Sequence, residues 1–513
     1  MIIIILNLRD RALAKRAEYT FGQIMRYLGY GYKIIYGLNK ITIKNEKRPL
    51  LIYYGDNEFD FKNKKSIQII SGRLKRKEHG KLYSFRNRDT ALFEHDIILE
   101  SFNILAREEE IGSKNADSHQ RFAAEKSEIF RNLKDPTVNK HALALDKLIK
   151  GFFRLSDEPL IWKCHWPENK RFAACLTHDV DIVKFTKSDI FSISKITDYI
   201  LGRNPYWQFD RVIELEKRHN FSSTFFFCTG KRHDFDPNYS INEEKIVNVI
   251  RLLMKRGHEI SLHLSYLSYG SNEMMMAEKR ELSSVVQGKI GVRTHFLRFK
   301  VPDTWILEDK LGFYYDSSLG YSNRIGYRSG FCWPYNPYAI GAEEELGLFE
   351  LPLSVMDSAL FEESKTSANS LKSLKKMLKN VIKSGGVAVM NWHQRVFNEK
   401  YFHGWSFVYG KCLEYFEKNG AFVGSARDII GWVVKRNSIS ISEMQSKNTL
   451  KLVLDSKADA DGFALRIICG KSSRLKVHKH KNLNIARDKE GFIVIFNKLR
   501  KDHPVSLELT RIK

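Results

Sequence analysis

Between about residues 170 and 435, short apolar runs alternate with amphipathic segments, and this alternation limits the fold more than any other feature of the chain. Apolar runs bounded by turn residues read as buried strands, and they fall at 172–177, 222–228, 259–263, 294–299, 313–316, 349–353 and 387–393. Helical spacing fills several of the gaps, notably 207–219, 242–256, 272–287 and 368–383. Regular strand–helix alternation of this kind predicts a parallel α/β barrel or a doubly wound sheet.

The rest of the chain divides around this centre. At 513 residues the chain exceeds one ordinary core, and two or three domains are expected. Residues 1–110 read as a small α/β domain, opening with a strand and closing with the helical stripe Phe93, Ile97, Ile98, Phe102 and Leu105. Residues 111–165 read as a linker followed by a helical connector, and the central unit is placed at 166–436. A linker at 435–448 leads to a small β-rich domain at 449–513, marked by the runs LKLVLDS, FALRIIC, FIVIFN and VSLELTRI. Neither end carries a convergent acid/base set, so both are expected to be dispensable for chemistry.

A formal net charge of +24 favours anionic partners such as an acidic glycan, a nucleotide-linked sugar, nucleic acid or a membrane surface. The basic residues are dispersed and accompany no nucleic-acid motif, so specific nucleic-acid binding is not expected. The six cysteines form no CxxC pair, which suits a reducing compartment, and Cys175 and Cys228 sit inside apolar runs as small core residues. The opening MIIIILNL is eight residues long, has no basic segment before it, and reads as a first strand rather than a signal peptide. No run reaches the ~20 apolar residues of a membrane helix. A cytoplasmic protein is the default expectation.

The stretch RFAACLTHDVD, residues 171–181, ends an apolar strand with two carboxylates, Asp179 and Asp181. Residues two apart in an extended chain point the same way. Both acids are therefore aimed at one volume at the carboxyl end of a strand, where α/β proteins place their sites. Two like charges held together call for a metal, a shared proton or an arginine. The plain alternative is an Asx turn. Further strand ends carry polar residues that can meet this pair: His263 in GHEISLHLSY, His295 and Arg298 in GVRTHFLRF, Asp357 in ELPLSVMD, and Asn391 with His393 in VAVMNWHQR. A histidine at any one of these ends, taken singly, reads as structural.

In order and spacing these segments, with FSSTFFFCTG at 221–230, resemble the polysaccharide deacetylase family of carbohydrate esterases. The resemblance covers about half the chain. It implies a distorted (β/α) barrel and a divalent metal, zinc first, with cobalt, nickel or manganese as alternatives. It further implies removal of acetyl groups from a carbohydrate by cleavage of a non-peptide C–N bond, on a precursor of a surface polysaccharide. THDVD is similar to a D-x-D variant of the family's first motif, which makes Asp179 the base and Asp181 a metal ligand. His263 matches a ligand histidine, Arg298 the arginine that holds the base, and His393 the late histidine that serves as general acid. The N-terminal region and GFYYDSSLGYSNRIGYRSGF resemble a bacterial branch of the family in which an extra α/β domain precedes the barrel.

One departure bears on the metal. The family's second ligand histidine falls at Leu267, which cannot bind a cation. His295, at the next strand end, is the best substitute, with Ser265 or a water as alternatives. His295 and Arg298 are three apart, so a bend is needed to aim both inward. The competing reading is a catalytically silent barrel that binds glycan or scaffolds a complex after losing part of its metal site. Nucleic-acid binding driven by charge alone is a third. Trp305, Tyr321, Trp333, Tyr335, Trp392 and Trp405 read as packing rather than as sugar platforms.

Overall fold

The computed structural model describes residues 1–38, 49–62, 64–73, 81–156, 158–446, 449–468, 474–478 and 482–512. At its centre is a curled nine-stranded sheet whose pairings are all parallel. Its order is Phe349–Glu350, Tyr315–Asp316, Val292–Thr294, Glu259–Leu264, Thr224–Cys228, Phe172–Val180, Val387–Asn391 and Val355–Met356, with Ala421–Gly424 also on Phe172–Val180. The two outer strands belong to one extended stretch. Its start bonds to one edge through Leu351 N–H and Asp316 O (2.8 Å), and its end bonds to the other through Ser354 N–H and Val389 O (3.2 Å). The parallel, barrel-like half of the expectation is therefore met.

Alternation along each strand feeds two cores. Phe172, Ala174 and Leu176 pack with Phe225, Phe227, Ile260 and Leu262 beneath the surrounding helices. Ala173, Cys175, Phe226 and Val389 point the other way, into a second cluster. That second cluster does not stop at the sheet. It continues through Trp166, Trp333 and Tyr335 into Tyr27, Phe102 and Leu145 of the N-terminal region and Trp432, Leu465 and Val494 of the C-terminal region.

The N-terminal region is a six-stranded sheet ordered Tyr32–Tyr36, Ile2–Asn7, Leu50–Gly55, Ser66–Ile70, Thr90–Phe93, Tyr83–Asn87, parallel except for the last pair. Its first helix, Arg11–Leu28, starts where Asp10 accepts from the Ala12 and Leu13 amides at 2.8 and 3.2 Å. It stops at Gly29, whose φ of 81° suits a left-handed cap. Helix Ile97–Leu105 is capped by Asp96, which also accepts from Tyr54 Oη at 2.7 Å. The strands after residue 449 belong to two antiparallel four-stranded sheets, one completed by Ser440–Gln445 and the other by Leu160–Lys163.

The segment read as a linker and connector is built into the fold. Helix Thr137–Arg154 lies against the N-terminal helices, and strand Leu160–Lys163 pairs antiparallel with Phe463–Ile468 of the C-terminal sheet. The linker placed at 435–448 is also shorter than read. Helix Ala426–Ser438 runs into it, and strand Ser440–Gln445 pairs with Thr449–Asp455.

Arg436 joins the three parts. Fully buried, its guanidinium donates to Cys164 O (2.7 Å), Arg26 O (2.6 Å), Tyr27 O (3.1 Å) and Lys163 O (3.0 Å). Burial pushes its pKa down to about 10, which leaves it charged at neutral pH. Gly29 completes the junction, since a Cβ there would stand 2.3 Å from Lys163 O and 2.6 Å from the Arg436 guanidinium. Replacing Arg436 by Ala strands four carbonyls, each costing about 1–3 kcal/mol when left unsatisfied. Thermal unfolding of Arg436→Ala should show a loss of about 3 kcal/mol or more, with the N- and C-terminal regions melting before the centre. A single cooperative transition at the wild-type temperature would refute the joint.

Candidate active site

Strand Phe172–Val180 runs three residues further than its apolar pattern suggests, so Asp179 lies within it and Asp181 just beyond. Both carboxylates are buried. Asp179 Oδ1 accepts from Arg293 Nη1 at 2.8 Å and Oδ2 from Asn391 Nδ2 at 2.7 Å. Its own amide donates back to Asn391 Oδ1 at 3.2 Å. Burial works against ionisation of Asp179, but Arg293, then His263 and His393, outweigh it and hold the carboxyl below the usual range.

Asp181 faces three imidazoles. His263 Nε2 is 3.4 Å and His295 Nε2 3.7 Å from its Oδ1, and His393 Nε2 is 3.2 Å from its Oδ2. Burial opposes its charge, yet His393 and the other two imidazoles hold its carboxyl well below the normal value. A cavity of about 320 Å³ opens over this group, lined also by Asp179, Asp357 and Trp405.

The residues present fit a divalent cation. Asp181 Oδ1 is buried without a hydrogen-bond partner and points at two ring nitrogens. His263 uses Nδ1 on Arg293 O at 2.9 Å, which leaves Nε2 facing the gap. His295 is pushed down to about 4, burial outweighing the pull of Asp181, so it is neutral as a ligand must be. One donor atom from each of Asp181, His263 and His295 lies within 4.8 Å of the others. Tetrahedral zinc, with ligands at ~2.0–2.1 Å, sets its donors ~3.3 Å apart, close to the 3.4 and 3.7 Å observed. Leu267 sits 43% exposed. Ser265 is not available to the group: its Oγ bonds Glu278 Oε1 and Ser268 Oγ, each at 2.5 Å.

The bend after His295 exists, and it corrects the assignment of Arg298. Phe296 and Leu297 take left-handed φ values of 58° and 55° and turn the chain out of the strand. His295 stays at the cavity, whereas Arg298 is carried away from Asp179. Its guanidinium donates to His119 O (2.9 Å), Tyr266 O (2.6 Å) and Gln120 Oε1 (3.0 Å) and lies over the Tyr266 ring. The resemblance gives Arg298 the task of holding Asp179; Arg293 does it instead. Arg293 is wholly buried, is fixed by Ser317 O at 2.8 Å and Ser317 Oγ at 2.9 Å, and pairs in register with His263. Its signal is in the sequence: Arg293 and His295 are two apart, the same spacing that joins Asp179 to Asp181.

His393 follows strand Val387–Asn391, and its Nδ1 meets Asp357 Oδ1 and Oδ2 at 2.9 and 3.0 Å. Burial opposes a proton on this ring, but Asp357 and Asp181 win and raise its pKa to about 10. Asp357, at the first turn of helix Asp357–Ser364, was visible as the end of ELPLSVMD, but nothing near it in the chain ties it to His393. Arg121 is a second residue the sequence did not flag. It lines the cavity from the segment read as a linker, ion-paired to Asp117 and donating to Phe296 O at 3.0 Å. That contact gives the segment read as a linker a place in the cavity wall.

A second metal-compatible group, His95, Glu100 and His141, lies in the N-terminal region. It joins helix Ile97–Leu105 to helix Thr137–Arg154, with Glu100 Oε2 3.0 Å from His95 Nε2 and 3.7 Å from His141 Nε2.

A family described as a family of unknown function (DUF7033) matches residues 5–154. No curated protein matches the sequence. Among solved structures the chain is similar to a protein from Mycobacterium smegmatis assigned as a polysaccharide deacetylase, with 20% identity and a TM-score of 0.39 over 52% of this chain and 92% of that one. It is also similar to the catalytic domain of the peptidoglycan N-acetylglucosamine deacetylase of Eubacterium rectale ATCC 33656, with 12% identity and a TM-score of 0.27 over 49% of this chain and 87% of that one.

The Asp357–His393 contact has a direct readout. Removing the carboxylate removes what favours the imidazolium, so Asp357→Asn should lower the His393 pKa by roughly 1–3 pH units. Ring NMR of the metal-free protein measures this. An unchanged titration would mean that Asp357 does not set the charge of His393.

Proposed function

We propose that this chain is a metal-dependent hydrolase that removes acetyl groups from the amine of a carbohydrate. One observation carries the reading: Asp179, Asp181, His263, His295 and His393, from four strand ends, line one cavity with a buried guanidinium on the first and a buried carboxylate behind the last. A packing cluster has no need of that asymmetry, in which one acid is held ionised and one imidazole is held protonated.

Asp181, His263 and His295 would hold the cation, zinc in first place, and its contribution when bound is to polarise the acyl carbonyl and lower the pKa of a water toward ~7. Asp179, locked by Arg293 and Asn391, takes the proton of the attacking water. His393 presents its Nε2 proton to the departing amine nitrogen, while Asp357 keeps its ring oriented. The products are acetate and a free amino sugar. The silent-barrel reading rested on Leu267, and His295 beside Asp181 removes that ground. Nothing in the geometry favours nucleic-acid binding as the main activity. Among the described residues no helix is long and apolar enough to cross a membrane.

The test is metal content and acetate release, measured side by side on wild type, His295→Ala and Asp179→Asn with a panel of N-acetylated oligosaccharides. The wild type should hold one equivalent at this site, His295→Ala should lose it, and Asp179→Asn should retain it while turnover falls by ~10²–10⁴. An Asp181→Ala variant with the metal content and acetate release of wild type would sink the reading.

A further inference from the structure

Directly after Asp181 the chain makes an excursion that packs the wrong way round for a water-soluble surface. Helix Ile193–Ile200 has the stripe Ile193, Ile196 and Ile200, which would ordinarily face a core. Here it faces out. Ile193 is 84%, Ile200 76% and Tyr199 67% exposed, and the flanking Phe191 and Leu201 are 87% and 55% exposed. The buried residue of the helix is its acid, Asp198, which accepts from Lys400 Nζ at 2.8 Å and Tyr401 Oη at 2.7 Å. Lys195 is likewise turned inward, to Asp189 at 2.6 Å and Tyr206 at 2.8 Å. The helix is thus fastened by its polar residues and presents its apolar ones, the reverse of an ordinary surface helix.

Its position and charge narrow the occupant. Lys400 and Tyr401 sit in the same short segment as Phe402 and Trp405, which line the cavity, so the helix is fastened next to the cavity wall. Lys187 and Arg203 flank the face and are exposed, while Asp189 and Asp198 are buried in ion pairs, and the whole chain carries +24. Exposed cations at both ends of an apolar stripe match an anionic lipid surface. Eight residues rise only ~12 Å as a helix against a ~30 Å hydrocarbon core, so the element lies along the surface and does not span it.

We propose that the 186–203 segment is a membrane-docking element whose apolar face enters the headgroup boundary of a bilayer carrying anionic lipid and sets the cavity mouth against it. Combined with the deacetylase reading, on which this step alone rests, the acetylated sugar is one presented at a membrane, joined to a lipid, rather than a free oligosaccharide.

Sedimentation of the full chain with vesicles tests the docking without any turnover. Wild type should pellet with vesicles of phosphatidylglycerol and phosphatidylcholine, less with phosphatidylcholine alone, and less in high salt. The triple variant Phe191→Ser, Ile193→Ser, Ile200→Ser should bind about ten-fold more weakly or worse, with an unchanged thermal melt because these side chains touch little of the fold. No pelleting with either vesicle, or a triple variant that pellets like wild type, overturns the proposal. So does a wild-type dimer at micromolar concentration that becomes monomeric in the triple variant, which would assign the face to a second copy. Asp179→Asn should pellet like wild type, so failure of the deacetylase reading leaves the docking result standing.

Discussion

A carboxylate can be buried ionised only where its charge is answered, and the mouth of this sheet is organised around two such answers. Asp179 and Asp181 are two residues apart and both largely enclosed, but they meet different partners. Asp179 receives a fixed guanidinium and an amide, a compensation with no room for a cation. Asp181 receives three imidazoles and keeps one oxygen without a hydrogen bond. This difference lets adjacent acids of one kind take separate tasks, and it depends on Arg293 being held by Ser317 and on His263 being turned by Arg293 O.

How much of this was legible follows from range. Strand alternation is local, and from the sequence alone it aims Asp179, Asp181 and His263 at the end of the sheet where the structure has the cavity. The need for a bend between His295 and Arg298 was equally local, and the left-handed pair Phe296–Leu297 supplies it. The sequence leaves open which of two nearby arginines the bend keeps inside. Arg298 had the family pattern in its favour, yet the turn that spares His295 is the turn that removes Arg298. Asp357 lies 36 residues from His393, and only parallel pairing of Val355–Met356 with Val387–Asn391 brings them together. The sequence divided the chain where polar runs occur, but the buried strand Leu160–Lys163 and the guanidinium of Arg436 run across those divisions.

Arg298 illustrates how a displaced residue acquires other work. From its turned-out position it holds the backbone of His119 and the side chain of Gln120, and so positions the loop that brings Arg121 to the cavity. The region before the barrel therefore contributes to the cavity wall through a contact that the barrel itself makes.

The pairing of Leu160–Lys163 with Phe463–Ile468 has a consequence for how the chain is made. Lys163 and Leu465 are partners in one antiparallel ladder although roughly 300 residues of chain separate them. During synthesis from the N-terminus, that strand emerges long before its neighbour, and its edge waits through the production of the entire central sheet. Strand Phe172–Val180 also waits for late partners in Val387–Asn391 and Ala421–Gly424, but it gains Thr224–Cys228 early, whereas the Leu160–Lys163 edge is exposed as a template for wrong pairing until the last tenth of the chain appears. A ribosome that pauses or stops within that final stretch releases a chain with a complete central sheet and one open edge, so the yield of folded protein is decided at the C-terminus rather than at the cavity.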